Sequence, residues 1–284
     1  MILVTGAAGN IGRAVVSTLR SSGEPVVALA RDARKARNVL AADLSVRVAD
    51  YADRPALRAA FQGVKRLVMI PSDGEATAVL HHHANLINAA KEAEVSHTLF
   101  ISISDLDDGS PFYFTPVYRD AEKRLRDVAL PHVLIRCNLY AEFLAEHYLK
   151  PAFLTGKLDA PLGDSAMAPV ARKDVAEVAA ALALRPDLQG TNIPLSGPTA
   201  LTGHQLAAIA AKLWAGEIRY DPMPVPDYLL KLLTEQVAPW PHAFSSMALS
   251  ISQGRYAALG DGVERILGRP PTSLEDVLAG MSPR

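Results

Sequence analysis

The chain of 284 residues has little of several things that define other classes of protein. Its single cysteine, Cys137, excludes an intrachain disulfide and fits a reducing compartment. A formal net charge of -1 creates no overall field toward nucleic acid or an anionic membrane. The first apolar run, 1–4, is far too short for a signal segment or a membrane span. We therefore expect a cytoplasmic protein that contacts neither nucleic acid nor membrane directly, with monomer and homodimer both open.

Apolar residues are abundant by contrast, at 49% of the chain, and they follow a regular order. Short apolar runs alternate with helical stretches through the first two thirds of the sequence, the pattern of βαβ units on a parallel sheet. The runs are apolar throughout, as expected when helices cover both faces of a sheet. We predict strands at 2–4, 26–30, 45–49, 66–70, 98–103, 132–136 and 191–195, and helices from Asn10 and over 76–93, 116–128 and 173–184.

The final part of the chain has a different character, because from Thr202 onward it is mostly helical and interrupted by prolines. The sequence predicts an α/β fold with a Rossmann-type, doubly wound parallel sheet and a small, mostly helical C-terminal lobe. We expect the dinucleotide-binding core over 1–139, completed by 170–196. The substrate-binding lobe is expected over 140–169 and 197–284.

Three glycines, Gly6, Gly9 and Gly12, lie between the first predicted strand and the first predicted helix. In this position a first glycine permits the tight turn, a second lets the backbone approach a pyrophosphate, and a third allows close helix packing. The free amides and the dipole at the helix N-terminus then stabilise phosphate charge. The spacing G-x-x-G-x-x-G therefore predicts a dinucleotide site, the alternative being glycines that serve the turn alone.

The end of the second strand indicates which dinucleotide binds. NAD-selective sites usually carry a carboxylate there, which holds the ribose hydroxyls. This sequence has Arg31 instead, followed by Arg34, Lys35 and Arg37. A guanidinium pairs with a 2′-phosphate in a charge-assisted fork, which favours NADPH. Asp32 leaves NADH open as the weaker alternative, and the basic cluster could also be a solvated helix face.

A set of segments along the chain forms a second pattern. They are V-T-G-A-A-G-N-I-G (4–12), A-L-A-R-D-A-R-K-A (28–36), N-L-I-N-A-A-K-E-A-E-V-S-H (85–97), L-P-H-V-L-I-R-C-N-L-Y (130–140), L-S-G-P-T-A-L-T (195–202) and V-E-R-I-L-G-R-P-P-T-S-L-E-D (263–276). In their order and spacing they resemble the NmrA-like group of atypical short-chain dehydrogenases, above all its branch of type 2 quinone oxidoreductases and triphenylmethane reductases. The resemblance covers nearly the whole chain and is far more specific for the superfamily than for a reaction.

The resemblance implies a set of cofactor-binding residues by position. It implies Gly6, Ala8, Gly9, Asn10 and Ile11 at the pyrophosphate, Arg31 at the 2′-phosphate, Asp50 and Tyr51 beside the adenine, Ile70, Pro71 and Ser72 along the passage to the nicotinamide, and Ser102, Cys137 and Asn138 around the nicotinamide. Asp50 ends the third predicted strand and could equally be a simple turn residue.

One departure from the wider dehydrogenase pattern concerns the Tyr-x-x-x-Lys pair. Tyr118 is followed four residues later by Glu122, and Lys123 lies one place too far along. In the pair the lysine lowers the pKa of the tyrosine, so that the phenol can exchange a proton while hydride moves. A tyrosine facing a glutamate would instead titrate higher. Tyr118 is therefore only a candidate catalytic residue, and the resemblance implies a branch that also lacks the pair.

Aromatic side chains cluster in sequence near the carboxyl ends of the fifth and sixth predicted strands, where open α/β sheets bind ligands. Further aromatic residues follow in the C-terminal lobe. We predict an apolar pocket for a small-molecule substrate, lined by Phe112, Tyr113, Tyr118, Tyr140, Phe143 and Trp240. The alternative for each residue is ordinary packing between lobe and sheet.

The run His81, His82 and His83 invites a metal site. Three consecutive residues on a helix point in three directions, and no further metal-ligand spacing accompanies them. We therefore expect no metal, and we place this run on a helix N-terminal surface with His83 turned toward the cofactor side.

Two more features favour plain structural roles. Asp105, Asp107 and Asp108 form a short acidic loop, which we expect to be solvated. Cys137 has no acid–base partner nearby in the sequence, which favours a small buried or cofactor-lining side chain over a reactive thiolate.

The function we expect is that of an NADPH-dependent reductase transferring hydride to a flat, electron-poor small molecule such as a quinone or dye. Such acceptors take hydride without a strong general acid in the same step. The alternative is a non-catalytic, NADP(H)-sensing regulatory protein of the NmrA type, and the missing Tyr/Lys pair fits both. A biosynthetic reductase of one natural product is also open.

Overall fold

The computed structural model describes residues 1–283 of the chain. Its first elements are β1 (Ile2–Val4), α1 (Asn10–Ser21), β2 (Val26–Ala30), α2 (Ala33–Val39), β3 (Ser45–Val48), α3 (Arg54–Ala60), β4 (Arg66–Met69), α4 (Ala76–Glu92), β5 (His97–Ile103), α5 (Thr115–Asp127) and β6 (His132–Cys137). They are followed by α6 (Ala141–Leu144), α7 (Lys150–Thr155), β7 (Lys157–Leu158), α8 (Arg172–Ala183), β8 (Asn192–Leu195), α9 (Gly203–Leu213), β9 (Arg219–Tyr220), α10 (Val225–Glu235), α11 (Trp240–Ser252), α12 (Gly262–Leu267) and α13 (Leu274–Ala279). A π-helical turn, Ala145–Leu149, joins α6 to α7.

Seven strands form one parallel sheet in the order β3-β2-β1-β4-β5-β6-β8. The chain winds outward from β1 on one side and then starts again at β4 on the other. The strand order therefore reverses between β1 and β4, and the crevice at their carboxyl ends is where such sheets bind ligands. The Rossmann-type fold class is confirmed, and each predicted strand ends within about one residue of its observed bound.

Both faces of the sheet are buried, and alternate residues of a strand divide between them. In β1, Ile2 and Val4 lie in one core with Val15 of α1, whereas Leu3 lies in a second core with Leu86 of α4. A strand covered on both sides has no solvent face, which explains its continuous apolar run. Burying each side chain of this size stabilises the fold by about 1.5–3 kcal/mol.

The glycine loop between β1 and α1 is a tight junction in which helix and loop backbones lie in close contact. Gly6 has a φ of +58°, in the left-handed region that favours glycine. A Cβ on Gly12 would lie 2.2 Å from the carbonyl oxygen of Gly6, so a side chain there would force the helix away from the loop. The predicted role of Gly12 in close packing therefore has a direct steric basis.

A third core lies beyond the sheet and joins buried side chains of the lobe, among them Tyr148, Trp214 and Tyr256. The final helices do not all belong to it, because Val263 of α12 packs with Ile193 of β8 in the sheet core. The division of the chain into a core and a substrate lobe stays a prediction. No helix within residues 1–283 is both long and apolar enough to cross a membrane.

We expect Gly12→Ala to lower the free energy of unfolding by about 1–3 kcal/mol, because the added methyl group meets backbone that cannot yield cheaply. Gly280→Ala is the matched control, since its Cβ would meet nothing nearer than 3.6 Å and φ is negative. That variant should stay within about 0.5 kcal/mol of the wild type. Urea denaturation measures both, and equal stability of the two variants would contradict the steric argument.

Candidate functional site

The glycine loop leads into the N-terminus of α1 at the carboxyl edge of the sheet. Gly9 is the N-cap of α1, and no side chain caps this helix end. Gly9 and Asn10 are exposed, and the first N–H groups of α1 have no partner within the helix. Such a helix end suits a phosphate group. Ala8 and Ile11, also expected at the pyrophosphate, flank this position in the same loop and first helical turn.

Two side chains, those of Thr5 and Tyr51, stabilise the glycine loop through hydrogen bonds. The Thr5 hydroxyl donates to the Ile70 carbonyl at 2.9 Å and accepts from the Ile70 N–H at 2.8 Å, which joins the ends of β1 and β4. The Tyr51 hydroxyl accepts from the Gly6 N–H at 2.7 Å. Tyr51 is buried, so the structure gives it a supporting contact to the loop that the sequence pattern did not indicate. Its expected place beside the adenine stays a prediction.

The basic side chain at the end of β2 is not paired within the described part of the chain. Arg31 is exposed and forms no ion pair or hydrogen bond with the rest of residues 1–283. Asp32, by contrast, is committed, because one of its carboxylate oxygens accepts from the N–H groups of Arg34 and Lys35 and caps α2. Asp50 is exposed, and its carboxylate accepts from the Ala52 N–H at 2.8 Å in a turn. A free cation therefore stands where the sequence predicts a 2′-phosphate.

An apolar cavity of about 190 Å³ lies at the carboxyl ends of β5 and β6, under the lobe. Its lining residues are Ile103, Phe112, Phe114, Tyr118, Cys137, Asn138, Leu139, Tyr140, Phe143, Trp240, Ala243, Phe244, Met247 and Tyr256. Five of the six residues predicted for a substrate pocket are among them. Tyr113 is not, because its hydroxyl contacts the Ala76 N–H and the Glu75 carboxylate, each at 3.2 Å, at the start of α4.

Helix α11 supplies the predicted Trp240 and three further lining residues that the sequence analysis did not name, Ala243, Phe244 and Met247. Trp240, Ala243, Phe244 and Met247 follow the spacing i, i+3, i+4, i+7, which puts them on one helical face. This periodicity was a usable signal. Tyr256, which follows α11, had no comparable signal, because only the folded chain brings it against β6.

At the end of β6, a thiol and a phenol lie together in the cavity wall. Cys137 is buried, and burial raises the pKa of its thiol to about 12. Burial also raises the pKa of the neighbouring Tyr140 well above its ordinary value. The Asn138 side chain is used structurally, since it donates to the Tyr256 carbonyl and accepts from the Leu139 N–H. The thiol is therefore neutral, as expected for a lining residue rather than a reactive thiolate.

Glu122 does not face Tyr118, which corrects one expectation. Its buried carboxylate accepts from the Ser102 hydroxyl at 2.7 Å and from the Arg136 guanidinium at 2.6 Å. Ser102, expected beside the nicotinamide, therefore has its side chain turned to α5. The pKa of Tyr118 is raised chiefly by burial. Lys123 pairs with an aspartate on the exposed side of α5, so no lysine assists the Tyr118 phenol.

The three histidines have separate environments. His81 bonds the Thr77 carbonyl within α4, and His82 bonds the Ser72 hydroxyl at 2.9 Å. His83 was expected on a surface, turned toward the cofactor side, but it is fully buried and packs against the ring of Phe100. Burial lowers the pKa of its imidazole to about 4. No group of three possible metal ligands lies within residues 1–283. Pro71, between Ile70 and Ser72, is partly exposed at the β4 edge.

The acidic loop was expected to be solvated, and for Asp105 this is wrong. Asp105 is buried, and its carboxylate accepts from the hydroxyls of Ser110 and Ser250. Arg255 lies 3.8 Å away and also donates to the Gly109 carbonyl. These contacts connect the loop between β5 and α5 to α11, and the two elements together supply four of the eight aromatic residues that line the cavity. Asp107 and Asp108 are exposed as expected.

The fold and site define an α/β protein with a Rossmann-like sheet and an apolar cavity at its carboxyl edge. The model of the NmrA-like family matches residues 1–272, and the chain belongs to that family. This confirms the resemblance found in the sequence.

The chain is 31% identical to quinone oxidoreductase 2 of Escherichia coli strain K12, over 97% of this chain and 96% of the relative. It is 29% identical to an NADPH-dependent quinone oxidoreductase from Escherichia coli solved in complex with NADPH, with a TM-score of 0.90 over 98% of this chain and 99% of that one. The triphenylmethane reductase of Citrobacter sp. in complex with NADP(H) gives a TM-score of 0.89 at 23% identity over 99% of each chain, a likeness of fold.

We expect the Cys137 thiol to react with iodoacetamide at pH 8 at least about 1,000-fold more slowly than an unhindered cysteine, because each unit of raised pKa removes tenfold of the thiolate. Mass spectrometry of the alkylated protein follows the rate. The same protein unfolded in urea is the control and should react at the ordinary rate. Rapid alkylation of the folded protein would mean that the thiol is neither buried nor neutral.

Proposed function

We propose that the protein is an NADPH-dependent reductase that transfers hydride to a flat, conjugated small molecule such as a quinone or dye. The observation that carries the proposal is the aromatic cavity, which lies at the same carboxyl edge of the sheet as the glycine loop. Cys137 and Asn138, at the end of β6, form part of its wall. The volume of about 190 Å³ suits one flat ring system. The related quinone oxidoreductase solved with NADPH supports the same assignment.

The residues at the edge of the sheet fit NADPH. The N-terminus of α1 has no side-chain cap, which suits the binding of a phosphate group. The close contact at Gly12 leaves room only for backbone, so no side chain there obstructs the approach of a pyrophosphate. The unpaired Arg31 supports a 2′-phosphate over a ribose hydroxyl. The carboxylate of Asp32 is occupied as a helix cap and is a poor partner for ribose, so NADH is the weaker ligand.

Bound NADPH supplies the hydride, and the chain's own residues supply orientation. The aromatic walls hold a planar acceptor and exclude water, which places it for transfer. Tyr118, Tyr140 and Cys137 remain neutral because burial raises the pKa of each. They can donate hydrogen bonds but release protons reluctantly. This suits acceptors that need little acid assistance, and the candidate Tyr118 acts here as a donor.

The second candidate is an NADP(H)-sensing protein without turnover. The carboxylate of Glu122 is already bound by Arg136, and Lys123 lies on the protein surface. Neither provides an acid for catalysis, which supports the sensor as well as the reductase. A sensor needs no acceptor site, however. The aromatic cavity therefore favours the reductase.

We expect purified protein to oxidise NADPH when given a panel of quinones and cationic dyes, with the absorbance of NADPH at 340 nm as the measurement. Phe143→Ala should raise KM for the acceptor about 10-fold or more while the Kd of NADPH is unchanged, because only the acceptor contacts this wall. Absence of turnover across the panel, with NADPH still bound, would favour the sensor instead.

Arg31→Ala should weaken NADPH binding by about 1.5–3 kcal/mol, the size of a charged hydrogen bond, and leave NADH binding nearly unchanged. Isothermal titration calorimetry measures both ligands. Arg37→Ala removes the same charge from the last turn of α2 and serves as the control, with a small effect on both. Equal losses for NADPH and NADH in Arg31→Ala would remove the 2′-phosphate assignment.

A further inference from the structure

A second pocket lies in the lobe and shares one wall with the apolar cavity. Its volume is about 180 Å³, close to the 190 Å³ of the cavity. The π-helical turn, α7, α10 and the segment around β7 form most of it. Within residues 1–283, Phe244 of α11 is the only residue that lines both spaces. The side chain of Phe244 therefore separates the cavity from the second pocket.

The ring of Phe244 is half-buried and held by three aromatic neighbours. Its centroid lies 5.4 Å from that of Phe143, 5.3 Å from that of His147 and 5.8 Å from that of Trp240. His147 belongs to the π-helical turn, and its ring in turn lies 4.5 Å from that of Phe143. A ring packed on several sides keeps one rotamer, so the wall between the two spaces is a fixed one.

The second pocket is polar, but most of its charges are neutralised within the protein. Four of its five carboxylate and ammonium side chains form ion pairs: Asp159 with Lys231, Glu146 with Arg172, and Lys157 with Asp221. Apolar side chains such as Ala152, Leu158 and Leu232 line the same space. An uncharged group could therefore occupy this pocket without meeting a strong field, provided that Phe244 did not close it off.

We propose that Phe244 is a specificity-determining residue that limits the acceptor to one compact ring system. This rests on the proposed reductase function. Drug-sized ligands occupy pockets of about 300–1,000 Å³. The cavity alone is smaller, and Phe244 denies a larger acceptor the space of the second pocket. An extended quinone therefore reaches the nicotinamide poorly even where its chemistry suits hydride transfer.

Phe244→Ala should join the two spaces and change which quinones are reduced. The test compares phenanthrenequinone, which has three fused rings, with duroquinone, which has one. The ratio of kcat/KM for the larger quinone to that for the smaller should rise about 10-fold or more in this variant, because specificity is set by that ratio. The rate of NADPH oxidation in oxygen-free buffer measures both. Phe244→Leu keeps a smaller apolar wall, so it should shift the ratio in the same direction by less, and it carries the test if Phe244→Ala does not fold.

Phe112→Ala is the matched control. Phe112 is another half-buried phenylalanine in the cavity wall, but it does not line the second pocket. Its truncation removes the same side-chain volume from the cavity without joining the two spaces. KM should rise for both quinones alike, so the ratio of their kcat/KM values should stay within about threefold of the wild type.

The affinity for each quinone can also be measured without turnover. The complex with NADP⁺ has no hydride to give, so a quinone binds to it without reacting. Trp240 lines the cavity, and quenching of its fluorescence reports the Kd of the quinone. Phe244→Ala should bind phenanthrenequinone about 10-fold more tightly than the wild type does, because the additional ring gains a pocket. Phe112→Ala should show no such gain.

The outcomes separate the two proposals. An unchanged ratio and an unchanged quinone affinity in Phe244→Ala, with NADPH bound normally, overturn the role of Phe244 alone. Equal shifts in Phe244→Ala and Phe112→Ala also overturn it, since they indicate an effect of cavity size in general. If the wild type reduces neither quinone, the reductase function fails, and quinone binding to the NADP⁺ complex then decides whether Phe244 limits the size of the ligand.

Discussion

The close approach of α1 to the glycine loop is the constraint on which the rest of the site depends. Because the helix begins within contact distance of Gly6, its uncapped N–H groups reach the edge of the sheet. The hydrogen bonds of Thr5 to Ile70 then fix the ends of β1 and β4 on either side of the switch point. A dinucleotide whose pyrophosphate is bound by these groups would extend along the carboxyl edge in both directions, with its adenosine half toward β2 and β3 and its nicotinamide half toward β5 and β6.

At that far end the cavity walls come from segments distant in sequence, and polar contacts hold them together. Asp105 and Arg255 join the loop after β5 to α11 and the turn that follows it. A buried carboxylate is tolerated here because hydroxyl donors and a guanidinium surround it. The aromatic residues on both walls therefore keep their spacing without a ligand between them. A site of this kind is organised before the acceptor arrives, which lowers the entropic cost of orienting it.

The strands, the glycine loop and the aromatic loop after β5 could be predicted from the sequence because their signals are local. An apolar run, a glycine spacing or a helical periodicity can be recognised within a few residues. The burial of Asp105 could not, since its partner Ser250 lies 145 residues away. The pairing of Glu122 with Arg136 likewise depends on the packing of α5 against β6. Charged residues in a short loop or on a helix look solvated until the tertiary structure supplies their partners.

No charged side chain is among the residues that line the cavity. Its polar side-chain groups are phenols, a thiol, an amide and the indole N–H of Trp240. Burial keeps the phenols of Tyr118 and Tyr256 and the thiol of Cys137 neutral. An anionic substrate would lose its hydration there without gaining a cation, which is strongly unfavourable. A neutral conjugated acceptor loses little on entry and develops charge only as hydride arrives, when neutral donors in a low-dielectric site are most effective. The same surroundings would oppose a tyrosinate assisted by a lysine, because both ions would have to be desolvated. The missing Tyr/Lys pair and the apolar cavity therefore both fit the neutral acceptor proposed for this site.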